Sequence, residues 1–147
     1  MIDKIFIDTN LLVYGYNADD EIKHEKINTF FDTIQRDSII CVSTQVINEF
    51  YNTLYRKKVP LNKIKLYLNE IIHSLNIVTP DVNTSIKAIE LQEKYKYSWW
   101  DSLILSTAIE NECNILYTED FHNDQVIENK LAIINPFYVL KKTDKTG

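Results

Sequence analysis

The sequence predicts an α/β fold in which a central parallel sheet is covered by helices on both faces. Short apolar runs typical of buried strands alternate with longer segments whose apolar residues repeat at three- and four-residue spacing. Such strands pair in parallel through right-handed crossovers. The chain has 147 residues, of which 45% are hydrophobic and 25% charged, as expected for one globular domain, placed here at 1–140. Residues 141–147 are predicted to form a disordered tail.

The first half of the chain contains two predicted strands and several helices. The apolar run at 5–7 predicts a strand that is buried on both faces. Ile27 and Phe30 mark the apolar face of one helix, and Val46 and Phe50 mark that of another. In order, the predicted elements are a strand at 5–7, a short helix or turn at 11–16, a helix at 21–36 capped by Asp19 or Asp20, a strand at 39–42, and a helix from Ser43 or Thr44 to about 57.

The second half continues the alternation of helices and short strands. Pro60 separates two helices because proline interrupts helical hydrogen bonding. Asp101 is predicted to open a helix whose apolar side includes Ile104 and Leu105. The predicted elements are helices at 61–74, at about 81–94 and from 101 onward, strands at 76–78, 115–117 and 132–134, and a polar loop at 118–125.

Composition excludes several classes of site. Only Gly15 lies inside the fold besides the terminal Gly147, so no glycine-rich phosphate loop exists. No apolar run approaches the roughly 18 residues that span a membrane, and no secretion signal is visible, so we expect a cytoplasmic protein. Cys41 and Cys113 are isolated and are expected to be reduced, half-buried thiols. Zinc is not supported by the spacing of the histidines, which are His24, His73 and His122.

Acidic residues at the ends of apolar segments are the main candidates for function; they are Asp8, Glu49, Asp101 and Asp120. Asp8 and Asp120 follow predicted strands, at the sheet edge where α/β folds bind ligands. Asp101 shares a helical face with apolar residues. Glu49 lies away from the apolar stripe of its helix, and it is a candidate for the site only because the other three acids are present. Carboxylates that converge in one cleft repel each other unless a cation is present, so the pattern predicts a divalent-metal site.

Structural alternatives remain open for each acid. Asp8 and Asp101 can cap the helices that follow them. In the acidic loop, spacing does not determine whether Glu119, Asp120 or Asp124 faces the cleft.

The commonest use of such a site is the hydrolysis of phosphodiesters. Mg²⁺ or Mn²⁺ takes oxygen ligands, lowers the pKa of a bound water and stabilises the attacking and leaving oxygens. The net charge of −5 argues against indiscriminate binding of nucleic acid. Without the four acids the remaining charge is about −1, so binding of a nucleic acid is still compatible with the composition.

The chain resembles PIN-domain ribonucleases, specifically the VapC-type toxins of toxin–antitoxin pairs. The matching segments are IFIDTN at 5–10, VINEF at 46–50, WDSLILSTA at 100–108, LYTEDF at 116–121 and INPF at 134–137. The resemblance implies that the metal ligands and catalytic residues are Asp8, Glu49, Asp101 and Asp120. It also makes Thr9 or Thr118 a candidate to support these acids or to contact substrate. Asp124 departs from the pattern, since similar proteins often carry glycine there.

The same resemblance implies a fold and an activity. The fold is a three-layer α/β/α arrangement around a parallel sheet of about four to five short strands. The activity is cleavage of RNA as an endoribonuclease dependent on Mg²⁺ or Mn²⁺. The implied partners are an RNA substrate, a second copy in a homodimer, and a cognate antitoxin that blocks the acidic cleft, frequently with an arginine.

Two other classes of function are weighed against this one. A catalytically silent PIN-like module would bind RNA or protein without cutting. A phosphoacceptor domain would need a lysine opposite a central aspartate, and the sequence offers no such arrangement. Aromatic residues near the predicted edge either stack unpaired bases or fill the core or a dimer interface; they are Tyr14, Tyr16, Trp99 and Trp100.

Overall fold

The computed structural model describes residues 2–34 and 36–138, so the tail predicted at 141–147 lies outside the described residues. The elements in chain order are β1 (Lys4–Ile7), α1 (Thr9–Tyr16), α2 (Glu21–Thr33), β2 (Ile39–Ser43), α3 (Thr44–Arg56), α4 (Leu61–Ser74), β3 (Asn76–Val78), α5 (Val82–Tyr95), α6 (Trp99–Glu110), β4 (Ile115–Tyr117), β5 (Val126–Ile127) and β6 (Leu131–Ile134). The alternation predicted from apolar periodicity is confirmed.

The strands form a mostly parallel sheet in the order β3-β2-β1-β4-β6-β5. β1 lies at its centre, where Phe6 pairs with Cys41 of β2 and with Leu116 of β4. Only the edge strand β5 runs antiparallel among the described strands. The predicted fold class is confirmed, although the described sheet has six strands rather than four to five.

The additional strand belongs to a tight hairpin between β5 and β6. Glu128 and Asn129 both have positive φ, and the Lys130 N–H donates to the Ile127 carbonyl at 3.0 Å. This is the geometry of a two-residue primed turn, which usually contains glycine. Because the sequence has no glycine there, the hairpin was not predicted. The Glu128 carboxylate instead joins the hairpin to α5 through ion pairs with Lys87 at 3.2 Å and Lys94 at 2.7 Å.

The helices form a layer on each face of the sheet. Since right-handed crossovers lead from β1 to β2 and β3, helices α1 to α4 lie on one face, and the return from β3 to β4 places α5 and α6 on the other. Fully buried residues such as Phe6, Phe50 and Leu105 fill the space between the layers. The strand order reverses between β1 and β4, and their carboxyl ends therefore form the topological switch point of the sheet.

Three predicted helix limits and one burial expectation require correction. Helix α1 begins at Thr9 rather than at 11, because Asp8 caps it. Helix α2 ends at Thr33 rather than near 36, because Ile34 turns to extended backbone and packs against the core. Helix α6 begins at Trp99, two residues before the predicted start, since Ser98 caps it. Cys41 and Cys113 are free but fully buried rather than half-buried. Within the described part of the chain, no helix has the length and apolar character needed to cross a membrane.

Candidate active site

Asp8 lies at the switch point, directly after the central strand. It is 7% exposed and caps helix α1, with Oδ1 accepting the Thr9 N–H at 2.7 Å. Its other oxygen, Oδ2, accepts the Thr118 hydroxyl from the end of β4 at 2.8 Å. The capping interpretation of Asp8 is therefore correct, but the cap uses one oxygen, and the second points across the switch point.

Burial dominates the electrostatics of Asp8. Desolvation raises the pKa of its carboxyl from 3.8 to about 7, while hydrogen bonds from Thr118 and Thr9 lower it. The charges of Asp120 and Asp101 raise the pKa further. A carboxylate with this burial and these like-charged neighbours is costly to ionise in the protein alone, which is typical of functional sites.

Glu49 reaches the site from α3 on one face of the sheet. Although the residue is exposed, its Oε2 accepts the Thr9 hydroxyl at 3.1 Å and its Oε1 accepts Gln45 Nε2 at 2.7 Å. The same Gln45 amide donates to the Trp100 carbonyl at 3.3 Å and so links α3 to α6. Glu49 is thus held beside Asp8 through Thr9, although its position on the helix alone indicated a solvated side chain.

Asp101 reaches the site from α6 on the opposite face. The alternative in which Asp101 caps its helix is wrong, because the Ser98 hydroxyl caps the helix and accepts the Asp101 N–H at 3.2 Å. The Asp101 carboxylate is therefore not needed for capping. Desolvation raises its pKa, a hydrogen bond from Ser98 lowers it, and the charges of Asp120 and Glu49 raise it further.

The loop after β4 contributes Asp120 to the acid cluster. Asn10 Nδ2 donates to Asp120 Oδ2 at 2.9 Å, and the Thr118 hydroxyl accepts the Asp120 N–H at 3.1 Å. Desolvation raises the pKa of Asp120, as does the charge of Glu119, whereas Asn10 and Lys23 lower it. Asp120 in turn raises the pKa of Asp8 and Asp101, so these carboxylates share one electrostatic environment.

The two other acids of the loop are engaged elsewhere. Glu119 pairs with Lys23 Nζ at 2.9 Å and accepts the Tyr14 hydroxyl. Asp124 is exposed, and its φ of 66° lies in the left-handed region that favours glycine. This conformation accounts for the glycine that the resemblance led us to expect at the position. Of the three candidates, Asp120 is therefore the one coupled to Asp8 and Asp101.

The fit of a divalent ion can be judged from the donor set. The site offers carboxylate and hydroxyl oxygens, which suit Mg²⁺ and Mn²⁺. The charges of the neighbouring acids raise the pKa of Asp8 and Asp101, a repulsion that a cation would relieve. As the side chains stand, no group of three acids, histidines or cysteines among the described residues is arranged to hold a metal ion. The fit therefore rests on the chemistry of the donors.

Three supporting residues were missed in the sequence. Gln45 holds Glu49, Asn10 holds Asp120, and Ser98 supports Asp101. Two of them carry a local signal: Gln45 lies four residues before Glu49 on the same helix, and Ser98 lies three residues before Asp101 at the cap position. Asn10 has no local sequence signal beyond its place in the segment after β1, because its partner, Asp120, is 110 positions away.

Only one of the four aromatic candidates is largely exposed to solvent. Tyr14 packs edge-on against Phe137, and Tyr16 packs against Phe50 and Tyr67. Trp99 is half-buried, whereas Trp100 is 63% exposed.

Comparisons with known proteins agree with this fold. A family model described as PIN domain matches residues 5–127. The chain is similar to the structure of VapC20 from Mycobacterium tuberculosis, described as a sarcin-ricin loop cleaving toxin, with 16% identity, a TM-score of 0.67, and coverage of 80% of this chain and 90% of that one. A toxin–antitoxin complex from Klebsiella pneumoniae gives 16% identity, a TM-score of 0.67, and coverage of 90% and 98%.

A third similar structure is VapBC2 from Rickettsia felis bound to a DNA fragment from its promoter. It is 19% identical, with a TM-score of 0.59 and coverage of 92% of this chain and all of that one. At these identities the likeness establishes the fold alone. No curated protein matches the sequence.

Proposed function

The chain belongs to the PIN-domain family, and on that premise we propose that it is a metal-dependent endoribonuclease, the toxin of a toxin–antitoxin pair. The observation that carries the proposal is the buried Asp8 carboxylate at the switch point, with the charges of Asp101 and Asp120 acting on it. A silent domain has no physical reason to maintain such repulsion, since these charges cost stability unless a cation or substrate uses them.

We assign the metal ligands and catalytic acids as Asp8, Glu49, Asp101 and Asp120. A bound Mg²⁺ or Mn²⁺ would supply an activated water and neutralise charge on the phosphate. The chain itself orients the ligands: the Thr118 hydroxyl fixes one oxygen of Asp8, and the Thr9 hydroxyl with the Gln45 amide fixes both oxygens of Glu49. Such partners orient ligating carboxylates in metal sites.

The partners follow from the same proposal. The substrate is RNA, in keeping with the similar VapC20 toxin, which is described as cleaving the sarcin-ricin loop. The second partner is an antitoxin, because similar structures include toxin–antitoxin complexes from Klebsiella pneumoniae and Rickettsia felis. An antitoxin that places a positively charged side chain, such as arginine, against the acid cluster would neutralise the charge of the cluster directly. A homodimer is also part of the proposal.

The proposal is tested by cleavage of RNA with Asp101→Asn. The parent protein should cut RNA in Mg²⁺ or Mn²⁺ and should stop when EDTA is added. Asp101→Asn should abolish cleavage, because it removes a ligand charge without changing the Ser98 cap. Asp124→Asn is the matched control, since it changes an exposed acid that lies outside the cluster and asparagine accepts positive φ. Equal cleavage by Asp101→Asn and the parent would show that the assignment is wrong.

The proposed chemistry differs from that of a silent module in its metal affinity. Calorimetric titration of the parent with Mn²⁺ should show binding that Asp101→Asn weakens. Absence of binding at millimolar Mn²⁺, together with absence of cleavage, would favour a domain that binds RNA or protein without cutting.

A further inference from the structure

A concave pocket adjoins the acid cluster where the first turns of α3 and α6 approach each other. Its volume is about 510 Å³, and Glu49 forms part of its wall. Pro80, Trp100 and Leu103 supply the apolar part of the lining. We call it the α3–α6 pocket. A ligand in this pocket lies directly beside one of the proposed metal ligands.

Trp100 gives the α3–α6 pocket a flat apolar surface. The side chain is 63% exposed, although it sits on the first turn of a helix whose other face is buried. Trp100 makes none of the ring–ring contacts recorded for the described aromatic residues, whereas Tyr14 and Tyr16 are both held by neighbouring rings. A large exposed aromatic surface beside a candidate site is suited to stacking against a planar ligand.

The polar part of the pocket is built from Thr44, Gln45 and Asn48 on the first turns of α3. The Gln45 amide has a defined orientation, because its nitrogen donates to both the Glu49 carboxylate and the Trp100 carbonyl. Its oxygen, Oε1, is buried and has no hydrogen-bond partner among the described residues. Because this oxygen is not exposed to the pocket and the Gln45 nitrogen is already engaged, the polar groups left for a ligand are the Thr44 hydroxyl and the Asn48 amide.

We propose that the α3–α6 pocket binds one unpaired nucleobase of the RNA, stacked on Trp100 and adjacent to the bond that is cut. This inference rests on the proposed function, since it names a subsite of the same nuclease. Proteins recognise unpaired bases by stacking them on aromatic rings and by hydrogen bonds to their edges. Trp100 supplies the ring, and the Asn48 amide with the Thr44 hydroxyl supplies the edge contacts.

A protein side chain is the competing occupant of such a surface. The pocket favours a base because the Thr44 hydroxyl and the Asn48 amide share its lining with the Trp100 ring. The pocket also borders Glu49, so its occupant lies next to the position of the scissile phosphate. A nucleotide that flanks the cleaved bond would occupy this place.

The test is binding of a fluorescein-labelled single-stranded RNA of eight nucleotides, measured by anisotropy in EDTA. The Asp8→Asn variant serves as the parent, so that no cleavage occurs. Adding Trp100→Ala should weaken binding about 5- to 150-fold, as expected for loss of one stacked base. Trp100→Phe should retain most of the affinity because phenylalanine also stacks. Tyr55→Ala is the matched control, since Tyr55 is equally exposed at 62% but lies near the far end of α3, and it should bind like the parent.

A scan of abasic nucleotides identifies the contact itself. Removing the base at one position should weaken binding to the parent but not to Trp100→Ala. The variant has already lost the ring on which that base stacks, so the abasic site removes no further contact. If Trp100→Ala binds as tightly as the parent, or if every abasic RNA weakens both proteins equally, the pocket does not hold a base. An unchanged RNA affinity with an altered mass in size-exclusion chromatography would assign Trp100 to a protein interface and overturn the inference.

Cleavage distinguishes this inference from the function on which it rests. If the unmutated protein cuts RNA in Mn²⁺ while Trp100→Ala binds RNA normally, the nuclease proposal stands and the base site is wrong. If binding depends on Trp100 but no cleavage occurs in either metal, the base site stands and the nuclease proposal fails. A chain that binds no RNA at all would contradict both.

Discussion

Replacing Asp8 with asparagine is expected to stabilise the metal-free protein while it removes activity. Asparagine is as good a helix cap as aspartate, and its side chain can keep contacts to the Thr9 N–H and to the Thr118 hydroxyl. The substitution therefore removes the buried charge and little else. Active sites commonly carry such strain, which function maintains at the expense of stability.

The magnitude follows from the pKa of Asp8. An increase from 3.8 to about 7 corresponds to at most about 4 kcal/mol of destabilisation once the carboxyl is ionised. Below pH 3.8 the group is protonated in both states and has no effect. Between pH 3.8 and 7 the unfolded chain ionises first, so the free energy of unfolding falls as the pH rises, and above pH 7 the loss is complete.

The assay is denaturant or thermal unfolding in EDTA at pH 5 and pH 8. At pH 8, Asp8→Asn should be more stable than the parent by up to about 4 kcal/mol, with about 2–4 °C in Tm for each kcal/mol. At pH 5 the difference should fall to less than half, because the parent is then largely protonated. Asp32→Asn, which neutralises an exposed acid on α2, is the control and should shift neither value. An Asp8→Asn variant that is no more stable than the parent at pH 8, or whose advantage does not depend on pH, would refute the reasoning.

Three further predictions concern the neighbours of the site. Asp124→Gly should raise the free energy of unfolding by about 0.5–1 kcal/mol in urea, since glycine adopts positive φ without steric cost, and cleavage should be unchanged; a destabilised variant would contradict this. Gln45→Ala should weaken Mn²⁺ binding about 10- to 100-fold in calorimetry without RNA, because Glu49 loses a hydrogen bond that orients it; unchanged affinity would mean that Gln45 has no such role. Thr118→Val should destabilise the protein by about 1.5–3 kcal/mol at pH 8, where Asp8 is ionised, and by less at pH 5, as measured by denaturation at both values; an equal loss at both would indicate a packing effect.

The fold and the position of Asp8 were predictable because they depend on local patterns. Buried parallel strands are short apolar runs, and the residue that follows the central strand necessarily lies at the carboxyl edge of the sheet. The hairpin between β5 and β6 was not predictable, since its turn uses Glu128 and Asn129 at positive φ instead of glycine. The α5 lysines that pair with Glu128 are tertiary contacts, which a local pattern does not reveal.

The remainder of the site depends on contacts between distant segments. Helical position alone indicated that Glu49 was solvated, whereas the Thr9 hydroxyl, 40 positions away, holds its carboxylate beside the cluster. The choice between Glu119 and Asp120 is made by Lys23, which lies 96 positions from Glu119 and pairs with it. Such selections depend on the order of strands in the sheet, and spacing along the chain does not determine them.

The central position of β1 also determines when the site can exist during synthesis. β1 is translated before both strands that flank it, and its partner β4 comes from beyond residue 110. Pairings between such distant segments form slowly, because the intervening chain must first be ordered. Asp8 thus stays apart from Thr118 and Asp120 until the crossover from β3 to β4 closes. A nascent or truncated chain that lacks β4 and the residues after it carries Asp8, Glu49 and Asp101 without Asp120, and the cluster is complete only once β4 has paired with β1.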